Sequence, residues 1–285
     1  IIMAIAAIVI IIFFFFYIAS GFSACGKLFG TLFGIDYHLS MIVSAIVIVG
    51  YTSLGGFNAA STTDLIQSII MTIALIIVLV FGVSKAGGME AVMDNAQSIG
   101  SYLSLTKCLS AKDGSVVDYS ALTIVSTLAW GLGYFGMPHI LLRFMAIENP
   151  DKIKTSRRVA TVWVVISMGI AVLIGIVGKG MIQNGTIGNL ATSAESETII
   201  IQISMLLSKS GIVPALIAGV ILAGILASTM STSDSQLLAA SSSASENIIG
   251  GLFNVNLSET GKMIVARIVL ILISVIGVVI AWNEN

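Results

Sequence analysis

An apolar segment near the middle of this chain is long enough to cross a bilayer, but it cannot form one regular helix. Between Trp130 and Arg143 it is interrupted by Gly131, Gly133, Gly136 and Pro138. Irregular backbone persists at membrane depth only where protein buries it or where it lines a cavity. In transporters such broken helices bind the substrate, because the unwound turn presents unpaired N–H and C=O groups. The segment therefore favours a membrane transporter.

The composition also favours a membrane protein. Hydrophobic residues make up 57% of the chain and charged residues only 9%, whereas soluble domains carry about 25% charged residues. A net charge of -1 gives no indication of a nucleic-acid partner. Cys25 and Cys108 are too far apart in sequence to suggest a disulfide or a metal cluster. With 2 histidines and 2 cysteines, no nucleophile–base pair is apparent, and we expect no enzymatic activity.

Runs of roughly 20 apolar residues predict about seven membrane spans and an all-α integral membrane fold. The predicted spans cover residues 2–22, 39–57, 65–83, 121–145, 159–182, 212–240 and 263–282. The apolar stretch 197–207 is too short to span and is predicted to be an interfacial or docking helix. Residues 87–119 form a long polar connection. Both ends of the chain lie beside apolar runs without an initiator methionine, so we expect an internal fragment truncated at both ends.

The distribution of basic residues predicts the orientation in the membrane. Five of them lie at or after the end of the fourth span: Arg143, Lys152, Lys154, Arg157 and Arg158. Basic loops stay in the cytoplasm. Alternation then places the connection 87–119 outside, and the loops at 62–64 and 246–262 inside.

The interrupted span contains the pattern G-x-G-x-x-G, which in nucleotide-binding proteins follows a strand within a βαβ unit. That context is missing here, so a nucleotide site is rejected. Trp130 and Tyr134 lie four residues apart and therefore share one helical face. Their rings are suited to packing on a small solute, although packing between helices explains the same pattern.

A run of hydroxyl-bearing residues marks the sixth span. Ser228, Ser231, Thr232 and Ser235 follow the i, i+3, i+4, i+7 spacing, which lines one helical face with oxygen atoms. Hard cations bind such oxygens. Hydroxyls also join membrane helices, at about 0.6 kcal/mol for each hydrogen bond. Because an acid, Asp234, accompanies the run, an ion site is favoured.

Several ionisable residues lie in or beside the spans. Asp64 suits either an N-cap at the interface or a carboxylate at the inner mouth of an ion path. Asp234 is either a polar residue at the cytoplasmic end of its span or a second acid of that path. Arg143 is predicted to anchor the cytoplasmic loop. His139 is predicted to be structural, and a titrating role stays open.

Three segments resemble motifs of the sodium/solute symporter family, most closely those of its proline-transporting members. They are the Gly-Gly…Thr-Thr-Asp…Gln segment 55–67, the broken helix 129–146 and the Met-Ser-Thr-Ser-Asp-Ser-Gln segment within 225–238. The resemblance implies a leucine-transporter-type fold, with two inverted repeats of five helices. It implies that residues 1–285 correspond to core helices three to nine, and that core helices missing from this sequence complete the site.

The resemblance also implies roles for individual residues. Trp130, Tyr134 and Pro138 match positions of proline binding. Met137 departs from the glutamine that usually precedes this proline in proline carriers, so a different solute stays open.

For the ion, Ser231 and Thr232 match side-chain sodium ligands, and the carbonyl of Ser228 is a third candidate ligand. Asp64 matches a carboxylate on the path of sodium to the cytoplasm, and Asp234 is a second candidate on that path.

The expected function is secondary active transport across the plasma membrane, with inward sodium flow driving uptake of proline or a similar small solute. The alternatives are another solute, such as pantothenate or a short carboxylate, and a symporter-like membrane domain of a sensory protein. A proton is an alternative driving ion, but the run of hydroxyl oxygens favours sodium.

Overall fold

A computed structural model describes residues 2–109, 115–253, 255 and 258–283 and shows a mainly helical chain. The α-helices are α1 (Ile2–Phe33), α2 (Tyr37–Lys85), α3 (Met89–Ser98), α4 (Ala121–Gly133), α5 (Pro138–Met145), α6 (Ile153–Gln183), α7 (Ser193–Ser196), α8 (Ile199–Ser208), α9 (Ile212–Ser242) and α10 (Glu259–Ile280). Two short strands, β1 (Lys107–Leu109) and β2 (Val116–Asp118), pair in an antiparallel hairpin. This hairpin and α3 lie in the predicted polar connection.

Within the described residues, six helical segments are long and apolar enough to cross a membrane. They are Ile2–Phe33, Tyr37–Asn58, Ala60–Lys85, Pro150–Gln183, Ile212–Gly251 and Glu259–Ile280. The remaining predicted span, 121–145, is divided between α4 with 13 residues and α5 with 8 residues. The expectation of about seven spans, one of them discontinuous, therefore agrees with the structure.

The second and third spans join at a kink inside α2. Gly56 has φ 60° and ψ -160°, a conformation that glycine adopts because it has no Cβ. The turn was predicted at residues 62–64, and that prediction is wrong. Those residues are helical, because the interruption of α2 lies earlier in the chain, at Gly56.

The polar segment after the sixth predicted span is also more helical than predicted. A π-helical segment, Ser243–Leu252, continues α9 well beyond the predicted end of the sixth span at residue 240. The predicted loop 246–262 is therefore shorter than expected. The apolar stretch 197–207 forms α8, as the prediction of a short helix requires.

The chain divides into two compact units. The first comprises Ile1–Ile69, Pro138–Arg143 and Gly224–Asn285. Its core contains buried side chains from α1, α2, α9 and α10, including Ile18, Phe22, Met41, Leu237 and Ile273. Two glycines allow close packing against α1 within this unit. A Cβ at Gly277 would lie 3.2 Å from Ile18 and Phe22, and one at Gly21 would overlap the hydroxyl of Ser233.

The second unit comprises Ile70–Met137 and Phe144–Ala223. Buried aliphatic residues of α3, α6 and α8 form its interior, including Val92, Ile174, Val177 and Ile203. Trp163 adds a polar contact between α6 and α2, where its Nε1 donates to Thr72 Oγ1 at 2.8 Å.

Two glycines of α6 provide a matched test of this packing. A Cβ at Gly178 would lie within 3 Å of Ile199 side-chain atoms, whereas a Cβ at Gly175 would have no atom within 4 Å. Alanine at position 175 should be neutral or should stabilise the helix by up to about 1 kcal/mol. We expect Gly178→Ala to destabilise the protein by about 1–3 kcal/mol because it overpacks the contact between α6 and α8. Thermal unfolding of the Gly175→Ala and Gly178→Ala variants in detergent measures the difference in stability. Equal melting temperatures would contradict the close packing between α6 and α8.

Candidate substrate and ion sites

The interruption between α4 and α5 is one short turn. Ser120 caps the start of α4, with its Oγ accepting from the backbone N–H of Thr123 at 3.1 Å. The helix ends at Gly133, and residues Tyr134–Gly136 form a single 3₁₀ turn. Met137 is extended, with φ -71° and ψ 112°. Pro138 then begins α5, a position that proline favours because no helical N–H is required there.

Trp130 and Tyr134 lie side by side at the C-terminal end of α4. Their ring centroids are 6.3 Å apart and the ring planes meet at 70°, an edge-to-face arrangement. The expectation that both rings share one face is confirmed. They are 65% and 49% exposed, respectively, and a Cβ at Gly131 would have no neighbour within 4 Å. Within the described residues of its unit, the pair is therefore open to a ligand or to another segment.

The three candidate sodium ligands converge within one turn of α9. Ser231 Oγ donates to the carbonyl oxygen of Ser228 at 2.9 Å, and Thr232 Oγ1 approaches the same oxygen at 3.3 Å. These are the bonds that serine and threonine in a helix commonly make to the preceding turn. They bring two hydroxyl oxygens and one carbonyl oxygen, atom types that bind hard cations, within one turn of α9. Thr232 is exposed and the other two residues are half-buried, so an ion could reach them.

Ser235, the fourth residue of the hydroxyl run, belongs to a different cluster. Arg143 Nη2 donates to Ser235 Oγ at 2.7 Å and to Asp64 Oδ2 at 2.5 Å. Ser235 Oγ in turn donates to Asp234 Oδ1 at 3.1 Å, and Tyr51 donates to Asp234 Oδ2 at 2.9 Å. The structure therefore joins both acids of the predicted ion path in one hydrogen-bonded cluster, which we call the acid cluster: Tyr51, Asp64, Arg143, Asp234 and Ser235.

The acid cluster contains two carboxyl groups and one guanidinium. Asp234 is fully buried, and the Asp64 side chain is only 11% exposed. Asp64 Oδ1 is buried and has no hydrogen-bond partner among the described residues. With both acids ionised, the cluster carries one negative charge in excess and has a free acceptor atom. It is therefore suited to attract a cation.

The structure corrects two of the simpler interpretations. Asp64 is not an N-cap, because it lies inside α2, eight residues after the kink at Gly56. Arg143 does not serve only as a loop anchor, since its guanidinium binds Asp64 and Ser235. His139 packs edge-on against Phe14 of α1, with centroids 5.6 Å apart, as a structural role requires.

Comparison with known proteins identifies the family. The sequence matches the Sodium:solute symporter family over residues 1–285. The chain belongs to this family. Members of the family are transporters of the plasma membrane and not enzymes, which agrees with the multiple membrane-spanning helices.

Among its relatives, the chain is 36% identical over 270 residues to the high-affinity proline transporter PutP of Bacillus subtilis, with 94% of this chain and 53% of the relative covered. It is 35% identical over 272 residues to sodium/proline symporter 2 of Staphylococcus saprophyticus, with 94% and 50% covered. The chain thus spans about half the length of the curated relatives it matches.

A solved structure supports the fold. The chain superimposes on a Na⁺-coupled sialic acid symporter with a TM-score of 0.76 at 18% sequence identity. The match covers 97% of this chain and 57% of that protein. The fold is accordingly of the leucine-transporter type, as the motifs predicted, and the match extends over about half of that fold.

Proposed function

We propose that this chain is part of a secondary transporter that couples inward sodium flow to the uptake of proline or a closely similar small solute. The observation that carries the proposal is the broken helix. It presents the exposed rings of Trp130 and Tyr134 beside the turn at Tyr134–Gly136. Relatives of the chain at 34–36% identity are named proline transporters.

In the proposed substrate site, Trp130 and Tyr134 pack on the apolar ring of the solute, and Pro138 fixes the second half of the broken helix. The unwound residues between α4 and α5 provide backbone groups for the charged ends of a zwitterion. Met137 stands where proline carriers usually have glutamine, so a solute other than proline is the alternative that a substrate panel must address.

In the proposed ion site, sodium binds the Ser231 and Thr232 hydroxyls and the Ser228 carbonyl. Asp64 and Asp234 lie on its path to the cytoplasm. The membrane potential contributes about 2.3 kcal/mol per charge per 100 mV, which corresponds to roughly fiftyfold accumulation. If bound sodium raises the affinity for the solute, the solute must raise the affinity for sodium by the same factor.

We further propose that residues 1–285 form core helices three to nine of a longer symporter. The other core helices of the same polypeptide would complete both sites, and alternating access would be a rocking of one helix bundle against the other. On this proposal, residues 1–285 do not transport by themselves.

The test is uptake of radiolabelled proline by the full-length protein in proteoliposomes, with an inward sodium gradient or an equal choline gradient. We expect uptake only with sodium, and we expect Trp130→Ala to reduce it. Phe253, which is exposed and distant in sequence from the broken helix, provides a matched control as Phe253→Ala. Absence of uptake by a folded preparation would exclude proline. Failure of a solute panel that includes pantothenate and short carboxylates would exclude the transport proposal altogether.

A further inference from the structure

The first compact unit contains a cavity. No residue of the acid cluster and no candidate sodium ligand lines it. It has a volume of about 240 Å³ and lies between the kink of α2, the end of α9 and the first turns of α10. Its polar side is formed by Thr52, Ser53, Ser241 and Arg267, and its wall at the kink by Gly55 and Gly56. The proposed transport function assigns no role to this cavity.

Arg267 gives the cavity its charge. In the part of the chain that the structure describes, no carboxylate lies within 4 Å of Arg267. The neighbouring cation of α10, Lys262, is instead neutralised by Glu259 at 2.9 Å. An unpaired arginine inside an apolar helix is costly unless its guanidinium reaches water or an anion. Among the described residues, the cavity therefore contains a positive group without a carboxylate partner.

A further feature favours a polar ligand in this cavity. At Gly56 the positive φ interrupts the helix, and a Cβ there would meet no atom of the described residues within 4 Å. A ligand can thus approach an uncovered stretch of backbone beside Arg267.

The position of the cavity in the membrane indicates what kind of ligand this is. The predicted orientation places the start of α10 and the kink of α2 on the cytoplasmic side. Arg267 lies four residues, about 6 Å along a helix, after the predicted start of the seventh span at residue 263. Exposed apolar side chains surround it on α10, namely Met263, Ile264 and Ile268. A long arginine side chain at this depth extends its guanidinium towards the lipid headgroups, beside a surface suited to acyl chains.

We propose that this cavity binds the headgroup phosphate of an anionic phospholipid from the cytoplasmic leaflet. The Arg267 guanidinium donates to two phosphate oxygens, because its planar fork matches that geometry. The acyl chains lie along the exposed apolar face of α10. Basic cavities between membrane helices on the cytoplasmic side commonly bind lipids in this way.

The test is native mass spectrometry of the full-length protein in detergent with added dioleoyl-phosphatidylglycerol or dioleoyl-phosphatidylcholine. We expect one phosphatidylglycerol to be retained roughly tenfold more strongly than phosphatidylcholine, and Arg267→Gln to remove that preference. Lys262→Gln is the matched control, because it removes the same charge one to two turns away. An equal loss in both variants would show diffuse attraction to the basic surface and would overturn the proposal.

A second variant separates loss of the cavity from loss of charge. Ala266 also lines the cavity, so Ala266→Phe narrows it while keeping every charge, and we expect it to remove the preference as well. Retained preference in this variant would contradict binding in the cavity. A last measurement adds inorganic phosphate to the complex with phosphatidylglycerol. If it displaces phosphatidylglycerol at millimolar concentration from the wild type, the ligand is free phosphate and the proposal of a lipid is wrong.

Discussion

Replacing both hydroxyls of the proposed sodium site, Ser231→Ala with Thr232→Ala, is expected to abolish sodium-dependent uptake by the full-length protein. The two side-chain oxygens lie 2.9 and 3.3 Å from the Ser228 carbonyl, so their removal leaves one of the three candidate ligands. Loss of two oxygen ligands should raise the sodium concentration for half-maximal uptake by roughly a hundredfold or more, about 2.8 kcal/mol. The measurement is the initial rate of uptake against sodium concentration in proteoliposomes.

Ser233→Ala is the matched control for this double substitution. Like Ser231, Ser233 lies on α9 and donates its hydroxyl to a carbonyl of the preceding turn, that of Thr229, at 3.1 Å. Unlike Ser231, the Ser233 side chain lies against Gly21 of α1. If hydroxyls on α9 act only as links between helices, all of these variants should lower thermal stability modestly and leave the sodium dependence unchanged. An unchanged sodium dependence in a folded double variant would therefore exclude this ion site.

The local parts of the two sites were predictable because helix geometry alone produces them. Glycines and a proline between residues 131 and 138 cannot form regular membrane helix, and the structure breaks at Tyr134–Gly136. Trp130 and Tyr134 share a face because they are four residues apart. The oxygens of Ser231 and Thr232 meet that of Ser228 for the same reason.

The acid cluster was not predictable in this way, because it depends on how distant helices pack. Asp64 and Arg143 are 79 residues apart, and Tyr51 and Asp234 are 183 apart. The sequence contained a signal for the first pair, since opposite charges within apolar spans commonly pair. It contained none for Tyr51, whose hydroxyl oxygen also lies 3.2 Å from the Met230 carbonyl oxygen. A tyrosine in a membrane helix is too common to indicate a partner.

The position of the turn between the second and third spans shows a different limit. The sequence has two candidate turn signals close together, Gly55–Gly56 and the polar residues 61–64. Hydropathy favours the polar residues. The structure turns at Gly56, where φ is 60°, and keeps Asp64 helical. The Asp64 carboxylate accepts from Arg143. Of the two alternatives for Asp64, the N-cap depended on a turn at residues 62–64 and is therefore wrong.

The ion pair between Asp64 and Arg143 should be the most sensitive part of the acid cluster. Arg143→Gln removes the only guanidinium from a cluster that retains two carboxyl groups, Asp64 and the fully buried Asp234. Loss of one partner of a buried pair costs about 3–5 kcal/mol, but the Arg143 side chain is 44% exposed. Solvent screening therefore reduces the expected cost to about 1–3 kcal/mol. Thermal unfolding of the full-length protein measures it.

The double variant Asp64→Asn with Arg143→Gln distinguishes pairing from simple loss of a side chain. If the excess negative charge is what destabilises Arg143→Gln, the double variant should recover at least half of the lost stability, because only Asp234 then remains charged. It should not recover sodium-dependent uptake, since the proposed ion path has lost the Asp64 carboxylate. The exposed pair Lys152–Glu148, at 2.8 Å, is the control, and Lys152→Gln should change stability by less than about 0.5 kcal/mol. Additive losses in the double variant, with no recovery, would show that the two residues do not act as a pair.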